Sequence, residues 1–161
     1  MIRDDAFAGM GVLQALDLSQ NNLRMINPGM FGGNLNLKTL SFSHNPVEEL
    51  GAYQFQGLDN LKRVDLDHCK ISQVDPLTFH HLGKLSTINL NNNNLQFINQ
   101  EVFVSLTDLK HLQTHENPWQ CNCQLKSLRD WLQQQEVRSK ARENSFTELS
   151  EEAPYSPLSQ L

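Results

Sequence analysis

The sequence predicts an α/β repeat protein, a right-handed solenoid with a parallel concave sheet and an incomplete C-terminal cap, and three observations carry that prediction. A LxxLxLxxNxL pattern returns every 24 residues. A second apolar pattern centred on phenylalanine returns with the same period in the other half of each unit. After the last copy stands a Trp- and Cys-containing segment, which reads as cover for the otherwise open end of a stacked core.

Ile2, Phe7 and Met10 fit as the tail of a unit ahead of the first full copy. Leu13, Leu16, Leu18, Asn21 and Leu23 open unit one, and Leu37, Leu40, Phe42, Asn45 and Val47 open unit two. Leu61, Val64, Leu66, Cys69 and Ile71 follow in unit three, then Leu85, Ile88, Leu90, Asn93 and Leu95 in unit four. Unit five reads Leu109, Leu112, Thr114, Asn117 and Trp119, with Thr114 a polar residue at a leucine position. Alternation with period two marks each opening as a short half-buried strand, which places strands near 15–18, 39–42, 63–66, 87–90 and 111–114.

The turn after each strand carries Asn21, Asn45, Cys69, Asn93 or Asn117. A buried asparagine there can satisfy backbone groups of its own and the neighbouring coil, which predicts a hydrogen-bond ladder along the solenoid. Cys69 reads as a small buried thiol in the same slot, in preference to a redox or metal role. In the other half of the units, Phe7, Phe31, Phe55, Phe79 and Phe103 are predicted to stack as a second buried column. Asn34 stands where Leu58, Leu82 and Leu106 stand elsewhere, which predicts a locally irregular corner over 32–35.

The 161 residues include 13 Lys and Arg against 18 Asp and Glu, a net charge of −5 that disfavours a nucleic-acid footprint or a polybasic membrane patch. The expected partner is another protein, with no nucleic acid and no direct membrane contact. No window approaches the roughly 18 apolar residues of a membrane span, and Asp4 and Asp5 fall where a signal peptide needs an apolar run, so neither segment is expected in this chain. There is no G-x-S-x-G, phosphate-cradling glycine loop or H-E-x-x-H, so no enzyme, cofactor or metal is expected. His111 and His115 lie four apart, but on a strand their backbones stand about 13 Å apart, too far to share an ion directly. His80 and His81 read as a solvated pair in a convex turn, and Asp17, Asp65 and Asp67 as a solvated strand face in preference to a calcium site. No Asn-x-Ser/Thr sequon marks a glycan-covered face.

Residues flanking the inward Leu-x-Leu pairs point out from the concave face. The columns run Ala15, Thr39, Arg63, Thr87, His111; then Asp17, Ser41, Asp65, Asn89, Gln113; then Ser19, Ser43, Asp67, Asn91, His115. Small residues give way to charged, amide and imidazole groups from unit three onward. A protein-binding surface would therefore centre on Arg63, Asp65, Asp67, Thr87, Asn89, Asn91, His111, Gln113 and His115; the same residues read equally well as ordinary solvated strand residues.

The repeat resembles the extracellular, 24-residue class of leucine-rich repeat over residues 2 to 132, which implies a right-handed leucine-rich-repeat solenoid. The segment Asn117-Pro118-Trp119-Gln120-Cys121-Asn122-Cys123, followed by Leu125, Leu128, Trp131 and Leu132, resembles the opening of the cysteine cap of secreted and cell-surface members. In that family the two close cysteines pair with two further cysteines downstream, and none occurs here beyond Cys123. Bridging Cys121 to Cys123 would force a strained ring, and Cys69 is two repeats away, so reactive thiols and a protein that continues beyond this sequence are expected. A C-x-C zinc site is the other reading, without a second ligand pair nearby. The organisation expected is repeats over 1–116, a partial cap held by Trp119, Cys121, Cys123 and Trp131 over 117–136, and an irregular or disordered tail over 137–161.

The stretch from His115 to Leu132 is most similar to kekkon-like transmembrane proteins that join leucine-rich repeats to immunoglobulin domains. That similarity implies a cell-surface or secreted module acting in adhesion or modulation of receptor signalling, whose partner is an extracellular domain of a receptor or adhesion molecule. An intracellular scaffold or regulatory subunit and a secreted structural matrix protein are the alternatives. Replacing Leu66 or Leu90 by Ala is expected to cost about 2–5 kcal/mol, and replacing the outward Asn89 under about 0.5 kcal/mol. Equal costs in denaturant unfolding would mean that the inward and outward faces are assigned wrongly.

Overall fold

The computed structural model describes residues 2, 3, 6, 7, 9–120 and 123–138. In chain order these form β1 (Ala15–Asp17), a 3-10 turn (Pro28–Phe31), β2 (Thr39–Ser41), β3 (Glu49–Leu50), β4 (Arg63–Asp65), β5 (Gln73–Val74) and β6 (Thr87–Asn89). A one-turn helix α1 (Glu101–Val104), β7 (His111–Gln113) and a longer helix α2 (Cys123–Arg138) follow. Strands β1, β2, β4, β6 and β7 make one five-stranded sheet in that order, and β3 pairs with β5 in a two-stranded sheet on another side of the coil. Every pairing is parallel and in step with the repeat: Leu16 faces Leu40, Leu40 faces Val64, Val64 faces Ile88 and Ile88 faces Leu112.

The strands start where the alternation places them and are one residue shorter. The hydrogen bonding nevertheless continues: the amides of Leu18, Phe42, Leu66 and Leu90 donate to the carbonyls of Ser41, Asp65, Asn89 and Gln113 at 2.8–2.9 Å. Each strand then ends in the same way. Gln20, His44, His68, Asn92 and Glu116 all adopt the left-handed conformation, with φ of 52° to 59°. For a residue with a Cβ that conformation costs about 1–2 kcal/mol, so something in the following turn must hold it.

The holding group is the next side chain. Asn93 Nδ2 donates to the carbonyls of Leu66 (2.8 Å), Leu90 (3.0 Å) and Asn91 (3.2 Å), while its Oδ1 accepts from Ile71 N–H at 3.0 Å. Asn117 repeats this toward Leu90, Thr114 and His115, accepting from Leu95 N–H at 3.0 Å. Asn45 does so toward Leu18 and Phe42, accepting from Leu23 N–H at 3.0 Å. Each buried amide therefore ties its own turn to the preceding one. Cys69 sits in the same slot, with Sγ 3.4 Å from the Phe42 carbonyl and 3.6 Å from that of Asp67. Asn21, just beyond the first strand of the sheet, is exposed and donates within its own turn, to Leu18 and Ser19.

Apolar side chains fill the interior from both sides. Leu37, Leu40, Phe42, Leu61, Val64, Leu66, Leu85, Ile88 and Leu90 are fully buried beneath the sheet. Phe31, Phe55, Phe79 and Phe103 form the second buried column, in which the rings of Phe55 and Phe79 lie parallel at 5.6 Å and those of Phe31 and Phe55 stand 6.2 Å apart. Burying one such side chain contributes about 1.5–3 kcal/mol.

The corner over 32–35 departs from expectation. Its backbone is regular, since Gly33 has φ 90° at the position occupied by Gly9 (81°) and Gly57 (88°). The departure lies in the side chain: Asn34 is wholly buried and donates through Nδ2 to the carbonyls of Phe7 and Met10, both at 3.3 Å, closing the preceding turn where its counterparts offer only leucine. At the other end Trp119 is buried and donates through Nε1 to the Thr114 carbonyl at 3.1 Å. Leu128 and Leu132 of α2 are buried, and Trp131 stacks 6.2 Å from Phe103, so the helix covers the last turn of the phenylalanine column.

Asn93→Ala removes three donated bonds and one accepted bond from a buried turn and should cost about 2–4 kcal/mol, whereas Asn21→Ala, at the exposed first rung, should cost under about 1 kcal/mol. Urea unfolding of both variants checks this. Equal losses would mean that the ladder does not join the turns.

Candidate recognition face

The register brings the predicted columns side by side on the outer face of the five-stranded sheet. Arg63 and Asp65 belong to β4, Thr87 and Asn89 to β6, and His111 and Gln113 to β7, with Asp67, Asn91 and His115 just past the strand ends. Strands lie about 4.8 Å apart, so the three groups form one continuous surface on rigid backbone. Arg63 and His111 are exposed, and the other seven are half-buried.

Several of these side chains hold one another. Arg63 Nε and Nη2 each lie 2.8 Å from an oxygen of Asp65, a bidentate pair within one strand. The bond from Asp65 raises the Arg63 guanidinium above its ordinary value against the opposing effect of burial. Asp67 accepts from the Ser43 hydroxyl at 2.5 Å and from Asn89 Nδ2 at 3.2 Å, and its Oδ2 lies 2.9 Å from His68 Nδ1. Burial alone would push the Asp67 carboxyl up; the bonds from Ser43 and His68 outweigh it and hold the carboxyl below the usual carboxylate range. Asn89 Oδ1 accepts from Asn91 N–H at 3.1 Å, and Asn91 Oδ1 accepts from His115 N–H at 2.7 Å.

Asn89 is therefore not the loosely solvated outward residue that its position suggests. With one bond donated and one accepted, its truncation should cost about 1 kcal/mol, above the 0.5 expected from its position and still below that of a buried leucine. His80 is half-buried and packs edge-on to Tyr53 at 5.9 Å, so the His80–His81 pair is not simply solvated. Alternation also passes over His44 and His68, which occupy the left-handed position beyond the strand; their rings stack at 4.3 Å with 16° between planes. Their 24-residue separation is the signal that finds them. Gln54 and Thr78, one residue before the phenylalanine column, are likewise buried polar side chains that bond to carbonyls of the preceding turn, Gln54 to Ile26 and Thr78 to Leu50 at 3.2 Å.

Cys69 is buried, and burial pushes its thiol above the ordinary value. Cys121 and the side chain of Cys123 lie outside the described residues, so the expectation of reactive thiols there is untouched. Among the described residues the donor set with cation-binding spacing is His44, Asp67 and His68, whose donor atoms all lie within 4.8 Å of one another. No helix among the described residues is long and apolar enough to cross a membrane.

Parallel strands in 24-residue register, a ladder of buried asparagines and a phenylalanine column together define a solenoid of the leucine-rich class. The chain belongs to the Leucine rich repeat family, which matches residues 1–47, 13–71 and 59–118. Over 35 residues it is 51% identical to leucine-rich repeat-containing protein 70 of Homo sapiens, a match that covers 22% of this chain and 6% of that protein. The fold is shared with the TLR13–ssRNA13 complex structure (TM-score 0.72, 25% identity), over 74% of this chain and 17% of that one. It is shared also with the glycosylated Toll–Spatzle complex of Drosophila (TM-score 0.68, 21% identity), over 73% of this chain and 17% of that one. The chain thus spans a small part of the length of each.

Iodoacetamide should modify Cys69 at least about a hundredfold more slowly in the native protein than in denaturant, because the buried thiol meets reagent mainly when the turn opens. Mass-spectrometric mapping of the Cys69 peptide measures this. Equal rates would mean that the slot is open to solvent.

Proposed function

We propose that the chain is the protein-binding module of a cell-surface or secreted protein, acting in adhesion or in modulation of receptor signalling and carrying out no catalysis. Its partner on this reading is an extracellular domain of a receptor or adhesion molecule. The observation that carries the proposal is the outer sheet face, where polar groups of three kinds are set on rigid strands and several are held in place by their neighbours before any partner arrives. Preorganised side chains lose less entropy on binding than mobile ones. The compartment rests on the resemblance of residues 115–132 to extracellular caps and on the likeness of fold to Toll.

One fold neighbour was solved with single-stranded RNA and another with Spatzle, so this architecture holds partners of both chemistries. Charge favours the protein. The chain carries −5, and Asp65 and Asp67 belong to the candidate face, where a phosphate backbone requires cations.

Surface plasmon resonance against a panel of extracellular domains, with RNA oligonucleotides alongside, tests the proposal. A domain that binds should lose about tenfold or more in affinity to an Arg63→Glu, Gln113→Arg variant and nothing to Gln56→Arg on an exposed turn between strands. Binding that survives the sheet-face changes and is lost with Gln56→Arg, or binding confined to RNA, would overturn it.

A further inference from the structure

We propose that His44, Asp67 and His68 form a site for one divalent transition-metal ion, with zinc the chemistry that fits best. The site is independent of the protein-binding reading, because it rests on donor geometry alone.

The repeat itself assembles the donors. His44 and His68 occupy the same left-handed position in successive turns, with φ of 59° and 52°, so the solenoid sets one imidazole on the other. Their rings lie 4.3 Å apart and 16° from parallel, and both are exposed. The corresponding residues elsewhere are Gln20, Asn92 and Glu116, so a pair of imidazoles occurs at this step of the stripe alone. Asp67 adds the carboxylate. Ser43 Oγ at 2.5 Å and Asn89 Nδ2 at 3.2 Å hold it from the sheet side, leaving Oδ2 at 2.9 Å from His68 Nδ1. A carboxylate held in this way orients a metal-binding histidine or ligates the ion itself.

The spacing suits a small ion after modest movement. At zinc–ligand lengths of about 2.0–2.1 Å, two ligands of a tetrahedral centre stand about 3.3 Å apart. The present separations, 2.9 Å for His68 and Asp67 and at most 4.8 Å within the set, bracket that value. Both rings are exposed, so rotation about their side-chain bonds is open to close the difference. Two imidazoles and one carboxylate suit a borderline ion such as Zn²⁺ and are poor for Ca²⁺ or Mg²⁺, which take mainly oxygen ligands. The nearby Arg63 is engaged by Asp65 through both of its bonds. The other adjacent imidazoles, His80 and His81, are 58° from coplanar and join no such donor set among the described residues. With three ligands from the chain, a fourth position stays open to water or to a donor atom of a partner seated on the neighbouring sheet face.

The test uses the full chain with its accessible thiols alkylated, so that cysteine does not compete, titrated with zinc chloride against a chromogenic chelator. One equivalent should bind. His44→Gln and Asp67→Asn should each weaken binding about tenfold or more, and a His80→Gln, His81→Gln variant should bind as the parent does. In NMR spectra of the imidazole groups, the His44 and His68 resonances should shift together and saturate at one equivalent. His44 is exposed, so circular dichroism of His44→Gln should match the parent and separate loss of the site from loss of fold. Unchanged affinity in a His44→Gln, His68→Gln variant, no saturable binding, or resonance shifts confined to His80 and His81 would overturn the proposal.

Discussion

A solenoid has no contacts between distant parts of its sequence that could correct an error in one turn, so whatever joins neighbouring turns must recur at each. Here the strands meet over three residues, after which the chain has to leave the sheet with backbone amides and carbonyls still to be satisfied in the interior. The side-chain amide of the ladder asparagine meets that requirement. It donates to carbonyls of two successive turns and accepts an amide from the turn before, as Asn93 does with Leu66, Leu90 and Ile71. The left-handed residue before it, unfavourable alone, persists because the turn it permits delivers this side chain to the core.

That division of labour leaves the outer sheet face with a lighter structural duty than the core. The leucines point inward, the ladder closes the turns and the phenylalanines fill the far side, so the residues between the leucines can vary in chemistry while the backbone beneath them stays fixed. On this protein they form a mosaic rather than a uniform charge. The Arg63–Asp65 pair, the contacts of Ser43, Asn89 and His68 with Asp67, and the chain from Asn89 through Asn91 to His115 hold its centre in one arrangement. A surface organised in this way suits selective recognition of a partner with polar groups of its own.

The fold was legible because its determinants are spacings. Leu16, Leu40, Val64, Ile88 and Leu112 fall at one interval, and the structure sets them in one row. The ladder slot was legible for the same reason, even at Cys69. What spacing could not convey was side-chain reach. Asn34 reads as a broken leucine position, yet its amide extends to the turn before it; Gln54 and Thr78 do the same from a column that otherwise holds Met30 and Val102. Of the candidate site, membership of the face was readable from alternation, but its internal hydrogen bonds were not, since they join residues two apart on one strand or on adjoining turns. The His44–His68 stack escaped because the left-handed position breaks the alternation that identifies outward residues.

The central claim is that Asn45, Asn93 and Asn117 each tie their turn to the one before, and residue-resolved native-state hydrogen exchange reads it directly. Ile71 and Leu95 lie in no strand, and their N–H groups donate to Asn93 and Asn117 side chains. The account predicts that these two amides exchange as slowly as those of Leu66 and Leu90, which bond along the sheet, and with the same denaturant dependence. Exchange of Ile71 and Leu95 at rates typical of exposed turns, while Leu66 and Leu90 stay protected, would contradict it.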